Sequence, residues 1–370
     1  MKTVLVTGSK GFIGRNLIEA LSRVNDVNTI TFNKEDIIDT LQSHIEKADF
    51  IYHLAGVNRS ERTEDFEEIN AGLTRTIIEI LEKLGKNTPV VMSSSLQAEL
   101  NNVYGISKKK GEQMLIEHGQ KTNSPIYIYR LPNVFGKWSK PNYNSVVATF
   151  CYNISHGLDI WISDKNKEIE LIYIDDVVKA FTELLDKDAN LNKHYYTIDH
   201  KFKITLGELA ERIYQLRDIR KTSIIPDLFD ELMKYLHATY LSYLEKEDFA
   251  YNLELKADQR GGLFELLKSK QFGQIFVSKT HSGVVRGDHY HNTKVEKFCL
   301  IQGKAVIKLR HIFSDKIISY HVSDEEIKVV DIPPGYTHSI ENVGDSEMIV
   351  LFWANEIFDP KNSDTYYKKV

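Results

Sequence analysis

The run TVLVTGSKGFIGRNLIEAL, Thr3 to Leu21, constrains the fold more than any other stretch of the chain. Thr3–Thr7 reads as a buried strand, Gly8, Gly11 and Gly14 follow at once in the spacing GxxGxxG, and the residues after them take up helical periodicity. A strand feeding straight into a helix returns to a parallel neighbour through a right-handed crossover, so the chain is expected to open a parallel sheet. The same alternation continues through the strand FIYHLAG, the amphipathic helix INAGLTRTIIEILEKLG, and the strands PVVMSSS and IYIYRLPNVFG. This half is predicted to be an α/β Rossmann-type, doubly wound parallel sheet.

The texture changes later. Around FDELMKYLHATYLSYLEKEDFAYNLEL the chain is helical and charged, and beyond it come short β-rich runs: QIFVSKT, KFCLIQG, KAVIKLR, KIISYHV, KVVDIPPG and MIVLFWA. These predict a C-terminal all-β barrel or jelly roll. The expected domains are 1–243 and 253–370, joined between about Tyr243 and Leu253. A length of 370 residues accommodates both cores without disulfides, and the two cysteines, Cys151 and Cys299, cannot form a disulfide framework. A formal charge of −5 argues against nucleic acid or an anionic membrane as a partner, and no apolar run is long enough to span a bilayer. The chain starts almost directly on a strand, leaving no room for a signal peptide, so a reducing cytoplasm is expected.

The glycine turn allows a pyrophosphate to approach the backbone at a helix N-terminus. The second strand, NTITF, ends in Asn33 and Lys34 with no acidic residue to hold a ribose 2′-hydroxyl, while Lys10 and Arg15 bring positive charge to the loop. That pattern leans to NADPH over NADH. The catalytic signal is SSSLQAELNNVYGISK: Tyr104 and Lys108 share one helix face at i, i+4, and Ser93, Ser94 and Ser95 close a strand before them. A cationic Lys108 beside Tyr104 is expected to lower the phenol pKa, so that Tyr104 serves as general acid to a carbonyl while a strand-end serine bonds the same oxygen.

In the second half, His289 and His291 fall on the same strand face, Glu296 follows after a turn-sized gap, and PPGYTH supplies His338. Three imidazoles and a carboxylate suit Zn²⁺, Mn²⁺, Fe²⁺ or Ni²⁺.

These motifs carry a resemblance. TGSKGFIG, HLAG, Asn70 in INAGLTRT, SSS, YGISK, RLPNVFG, IYIDDV and ITLGELA fall in the order of the extended short-chain dehydrogenase/reductases that act on nucleotide sugars. The resemblance implies a catalytic set of Ser95 (or Ser94), Tyr104 and Lys108. It also implies a cofactor pocket built from Gly8, Lys10, Gly11, Phe12, Ile13, Gly14, Asn33, Lys34, Leu54, Ala55, Gly56, Tyr104, Lys108, Arg130 and Asn133. Two departures stand out. The arginine that commonly precedes YIDD and binds the substrate diphosphate is absent from KEIELIYIDD, leaving Lys137, Lys140 or Lys165 as substitutes. The Thr-Asp-Glu run of the dehydratases is replaced by Ser95-Leu96-Gln97, which favours reduction or epimerisation over dehydration.

The later residues resemble the cupin family. Gly283, His289, His291, Glu296 and Gly303 meet its first motif, and Pro333, Gly335, His338 and Asn342 its second, with Ile327 in place of one expected glycine. Over essentially its full length the chain resembles the CapF family of capsular-polysaccharide enzymes. That resemblance implies a homodimer with a zinc-bearing cupin and a two-step role in UDP-N-acetyl-L-fucosamine synthesis. The cupin would epimerise C3 of UDP-2-acetamido-2,6-dideoxy-β-L-arabino-hexos-4-ulose, and the reductase would then reduce C4 with NADPH to the β-L-talose product. A 4-keto group acidifies its neighbouring C–H bonds, and reducing it afterwards fixes the new configuration. The alternative is a single-activity 4-keto reductase whose metal-bound cupin is structural and dimerising. A third reading, a non-enzymatic NADPH-binding sensor, is disfavoured by the intact YxxxK.

Overall fold

Strand Lys2–Thr7 lies inside a six-stranded sheet, between Val27–Phe32 on one side and Phe50–His53 on the other. Beyond Phe50–His53 come Val90–Ser95, Ile126–Leu131 and Tyr195–Tyr196, every pairing parallel. The computed structural model describes residues 1–370. Parallel strands buried on both faces need continuous apolar runs, and Val4, Leu5, Val6, Ile51, Val90, Val91 and Ile128 are fully buried. Each such side chain stabilises the fold by roughly 1.5–3 kcal/mol. Leu41, Ile45, Ile77, Leu81 and Leu115, from the connecting helices, complete that core. Helix Leu73–Leu84 stops where its sequence predicts: Gly85 takes φ 63° and its N–H caps the Glu82 and Leu81 carbonyls. A small three-stranded sheet, Asn133–Phe135, Glu168–Tyr173 and Phe202–Thr205, stands apart from the main one.

The later strands form two antiparallel sheets. One runs Lys256–Asp258, Gly261–Ser269, Gly273–Thr280, Met348–Ala354, Glu296–Gln302, Val329–Ile332; the other runs Ile317–Ser323, Lys304–His311, Tyr336–Asn342, Val285–Tyr290, Tyr366–Tyr367. Strand Met348–Ala354 alternates buried and part-buried residues along its whole length, as a half-buried strand must. Phe298, Leu300, Val330, Met348, Val350 and Phe352 of one sheet meet Ala305, Ile307, Leu309, Val322 and Ile340 of the other in a single apolar core. The architecture is thus α/β followed by all-β.

Two compact units result, Met1–Ile213 with Tyr235–Leu244, and Tyr214–Lys234 with Glu245–Val370. The expected junction near Tyr243–Leu253 therefore marks only the last of the crossings between them. Residues 214–234 go with the second unit, where Ile224 bridges Lys268 and Ile225 N–H bonds the Lys268 carbonyl at 2.8 Å. No helix is long and apolar enough to cross a membrane.

Candidate active site and metal centre

The sheet order reverses direction at strand Lys2–Thr7, and the crevice at the carboxyl ends of such strands is where ligands bind in this architecture. The glycine loop sits there. Gly8 has φ 68°, and a Cβ on it would lie 2.7 Å from the Ala55 backbone; a Cβ on Gly14 would lie 2.2 Å from the Gly8 carbonyl oxygen. The turn therefore excludes side chains for two reasons, conformation and close approach. Helix Phe12–Leu21 begins at Gly11 with no side-chain cap, so the first-turn N–H groups of Phe12, Ile13 and Gly14 face outward for an anion. Asn33 is buried and braces the loop, its Oδ1 accepting from Ser9 Oγ (3.0 Å) and Lys10 N (3.2 Å). Lys10 itself pairs with Glu35, which leaves Arg15 and Lys34 as the exposed cations of this corner. Ala55 N donates to Thr7 Oγ1 at 3.2 Å, so the HLAG segment, with Leu54 and Gly56, forms the opposite lip. This cradle fits the pyrophosphate of a dinucleotide.

His53, buried in that motif, lies between Thr7 Oγ1 (3.0 Å) and Thr74 Oγ1 (2.9 Å). Burial, with the neighbouring Lys108 cation, lowers its pKa to about 3, so it is neutral. Asn70 lies in a π-helical turn, Phe66–Gly72, and bonds Val57 N and O (both 2.9 Å) and Ser107 Oγ (3.0 Å). It thereby ties the lip to the helix Val103–Thr122, which carries Tyr104 and Lys108.

That helix starts at Asn102, whose Oδ1 accepts from Gly105 N at 2.8 Å. Tyr104 lies close enough to Ser95, the last residue of its strand, for the serine to favour its ionised form. Burial raises the Tyr104 pKa, and Ser95 only partly opposes it. Lys108 is buried one turn on, its Nζ 3.6 Å from where a Gly56 Cβ would stand, and burial brings it down to about 8 despite the opposing charge of Glu112. Of the two candidate serines, Ser95 faces Tyr104. Ser94 is buried and donates to Glu112 instead.

The structure also relocates Arg130. Its guanidinium does not point to the cofactor cradle: Nε and Nη2 grip Glu112 at 2.6–3.1 Å, Nη1 reaches Glu99 at 2.8 Å, and the group stacks over Tyr195 at 4.6 Å. Tyr195 Oη adds a 3.1 Å bond to the same carboxylate. Glu112 is thus a site residue that sequence reasoning missed, although it continues the Tyr104–Lys108 spacing by another four residues. Asn133 is exposed, donates to the Glu170 carbonyl (3.0 Å), and lines a cleft of about 450 Å³ with Arg59, Asn142, Tyr143 and Ser145. Tyr143, on the wall of that cleft, also raises the Tyr104 pKa. Among the proposed substitutes for the missing arginine, Lys137 is held by Asp175 (2.8 Å), whereas Lys140 lies 5.3 Å over the Tyr143 ring at the cleft.

In the second unit, donor atoms of His289, His291, Glu296 and His338 all lie within 4.8 Å of one another. A bulge at Gly287/His289, with Asp288 at φ 59°, turns the strand so that His289 stands across from His338. Glu296 Oε2 is 3.2 Å from His291 Nε2 and 3.3 Å from His338 Nε2. Burial pushes Glu296 up, but the two imidazoles outweigh it and hold the carboxylate below its usual range. His289 is lowered to about 4 by burial and by the other two histidines. The His338 Nε2 atom is buried and makes no hydrogen bond, the condition of a ligand atom awaiting a cation. Three imidazoles, one carboxylate and an orphaned nitrogen fit a divalent metal, and these four residues would hold it. Asp364 went unnoticed in the sequence. Its carboxylate collects the N–H groups of Asn292, Thr293 and Lys294, and despite partial burial those bonds hold it below the ordinary range.

A dinucleotide cradle at the switch point, with a serine, tyrosine and lysine beside it, defines an α/β oxidoreductase-type unit; joined to it is an all-β unit with a metal-ligand cluster. Comparison with known proteins agrees. Residues 4–198 match the NAD dependent epimerase/dehydratase family and residues 256–366 match the polysaccharide biosynthesis C-terminal domain. A Pseudomonas aeruginosa protein, UDP-2-acetamido-2,6-beta-L-arabino-hexul-4-ose reductase, is 42% identical over 98% of this chain and 97% of its own. The crystal structure of the capsular polysaccharide assembling protein CapF from Staphylococcus aureus superposes with a TM-score of 0.91 at 42% identity, covering 99% of this chain and 100% of that one. The Bordetella bronchiseptica enzyme WbmF, in complex with NAD+, shares the fold alone, at 19% identity and TM-score 0.55 over 65% of this chain and 92% of its own. The chain belongs to the NAD dependent epimerase/dehydratase family and, within it, to the CapF family.

Proposed function

We propose that this protein is a reductase of a UDP-linked 4-keto-6-deoxy amino sugar in capsular polysaccharide synthesis, using NADPH, and that its second unit is a metal-bearing cupin that epimerises C3 of the same ketone beforehand. What carries the reductase reading is the grouping of Tyr104 with Ser95, which is close enough to lower the phenol pKa, and with Lys108 buried one turn behind. The bound cofactor supplies a hydride to C4. Tyr104 gives its proton to the ketone oxygen, Ser95 bonds that oxygen, and the Lys108 cation offsets the negative charge left on the phenol. The two large relatives described above support the substrate class, since one is named for this kind of reduction and both match this chain end to end. Arg15 and Lys34, exposed beside the end of the second strand, are suited to a 2′-phosphate.

The fit of the four-ligand cluster supports zinc in the cupin. A cation there would supply Lewis acidity to stabilise an enolate. The same cluster also favours a second reading, since four protein donors, three of them buried, suit a closed structural centre. One experiment covers both. With the UDP-linked 4-keto sugar in deuterated water, Tyr104→Phe should abolish NADPH oxidation and leave deuterium entry at C3 intact. Loss of both activities together would refute separate sites. Deuterium absent from the wild-type product would leave a reductase with a structural metal unit.

A further inference from the structure

The segment Asp364–Val370 runs alongside the stretch that carries two of the four metal-ligand candidates. Tyr366 pairs with Tyr290 and Tyr367 with His289 as an edge strand. Lys368 N donates to the Asp288 carbonyl at 2.9 Å and Val370 N to the Asp288 carboxylate at 3.2 Å. At the other end of the segment, the Asp364 carboxylate takes four donors from the loop between His291 and Glu296: Asn292 N (3.0 Å), Thr293 N (2.7 Å), Thr293 Oγ1 (3.0 Å) and Lys294 N (2.8 Å). Three successive N–H groups on one carboxylate fix the path of that loop. The Asp364 carbonyl meanwhile lies 2.5 Å from His291 Nδ1. A carbonyl can only accept, so Nδ1 carries the proton and the lone pair of Nε2 is turned toward Glu296 and the cluster.

We propose that Asp364–Val370 is a strap coupled to the metal: Asp364 is a positioning residue that selects the ligating form of His291 and sets the loop leading to Glu296, and metal binding in turn tightens the strap. The coupling is reciprocal because both events favour one conformation of residues 288–296. The two-residue strand pairs on one side alone, and the residues after it also bond Thr337, Arg310 and the Ile312 carbonyl, so its order depends on the groups it grips. The bond to His291 comes from the Asp364 main chain and survives substitution, so the side-chain variants act by releasing the loop the carboxylate holds and letting that carbonyl shift. Full loss of an outer partner of a ligating histidine costs roughly 10–100-fold in metal affinity.

The inference rests on the metal reading above, and the test separates the two. Full-length wild type, Asp364→Ala, Asp364→Asn and His338→Ala are loaded with Zn²⁺, titrated with a chelating dye, and followed by amide hydrogen exchange with and without chelator. Expected are a 10–100-fold weaker zinc affinity in Asp364→Ala, a smaller loss in Asp364→Asn, and faster exchange at Lys368 and Val370 of wild type once zinc is removed. If Asp364→Ala fails to fold, Asp364→Asn, which keeps size and one acceptor oxygen, decides. Wild-type affinity in the folded Asp364 variants, or strap exchange indifferent to zinc, would overturn the strap and leave the metal site standing. Zinc uptake by wild type no tighter than by His338→Ala would overturn the metal reading itself.

Discussion

Arg130→Met removes the main partner of a carboxylate that has no access to water. Glu112 is 1% exposed and Arg130 is 21% exposed, so the pair is desolvated on one side and only partly open on the other. After the substitution, Glu112 retains Ser94 and Tyr195 as neutral donors and loses the cation bonded to it, with Lys108 left as the nearby charge. Breaking a buried ion pair in this way costs about 3–5 kcal/mol, and the partial exposure of Arg130 places the expected value near the lower end, about 3 kcal/mol. Replacing both partners, as Arg130→Met with Glu112→Met, removes the stranded charge and should return the protein to within about 1 kcal/mol of wild type. The measurement is urea denaturation followed by tryptophan fluorescence in a Trp353→Phe background, where Trp138 and Trp161 report on the first unit alone. A shift of about 1–1.5 M in midpoint is expected for the single variant, at a slope of 2–3 kcal/mol/M. A double variant no more stable than the single one would refute the reasoning, because the loss would then belong to packing and not to charge.

Tyr104→Phe should lower kcat for reduction by about 10²–10⁴-fold, the usual worth of a positioned general acid, with little change in NADPH affinity by calorimetric titration. Lys108, at about 8, is protonated below that pH, so the reduction rate should fall as pH rises through 8, and Lys108→Met should show no break there. His53 binds a proton near pH 6.5 when unfolded and only near 3 when folded; its contribution to stability is complete above 6.5 and is lost as pH falls toward 3. Urea midpoints across that window should therefore slope less steeply in His53→Asn. Gly14→Ala places a Cβ 2.2 Å from the Gly8 carbonyl and should cost about 1–3 kcal/mol in melting experiments and most of the dinucleotide affinity.

What the chain reveals before folding is what depends on near neighbours. The glycine loop, the four-residue step from Tyr104 to Lys108, and the alternation of His289 and His291 all follow from local periodicity, and the structure brings each set together. The strand runs were legible for the same reason, since a fully buried parallel strand must be apolar throughout. The unread features join distant segments. Asp364 caps a loop some seventy residues upstream, and no spacing announces that. Arg130 was assigned to the cofactor from its motif, but a buried carboxylate eighteen residues earlier claims it. Residues 214–234 fall inside the expected first domain, 1–243, but the pairing of Ile224 with Lys268 and the main-chain bonds of Ser223 and Ile225 to Lys268 attach them to the second unit. Tyr104 shows a further limit: i, i+4 spacing gives adjacency, whereas its pKa is governed by burial, which depends on everything packed around it.

Tyr104 and Glu112 are eight residues apart on one helix, which at 1.5 Å per residue makes an arm of about 12 Å between the Tyr104 phenol and the residue that Arg130 grips. Asn70 steadies the arm at Ser107, and any rotation that Glu112 imposes on the helix as a whole is converted from angle into displacement. A tilt of about 5° at Glu112 would carry the phenol oxygen through about 1 Å, enough to cost on the order of 100-fold in rate. Small side-chain changes around Glu112, well away from any ligand, are therefore amplified at the phenol. On the proposed mechanism, the aim of the proton donor is governed in part from two turns behind it.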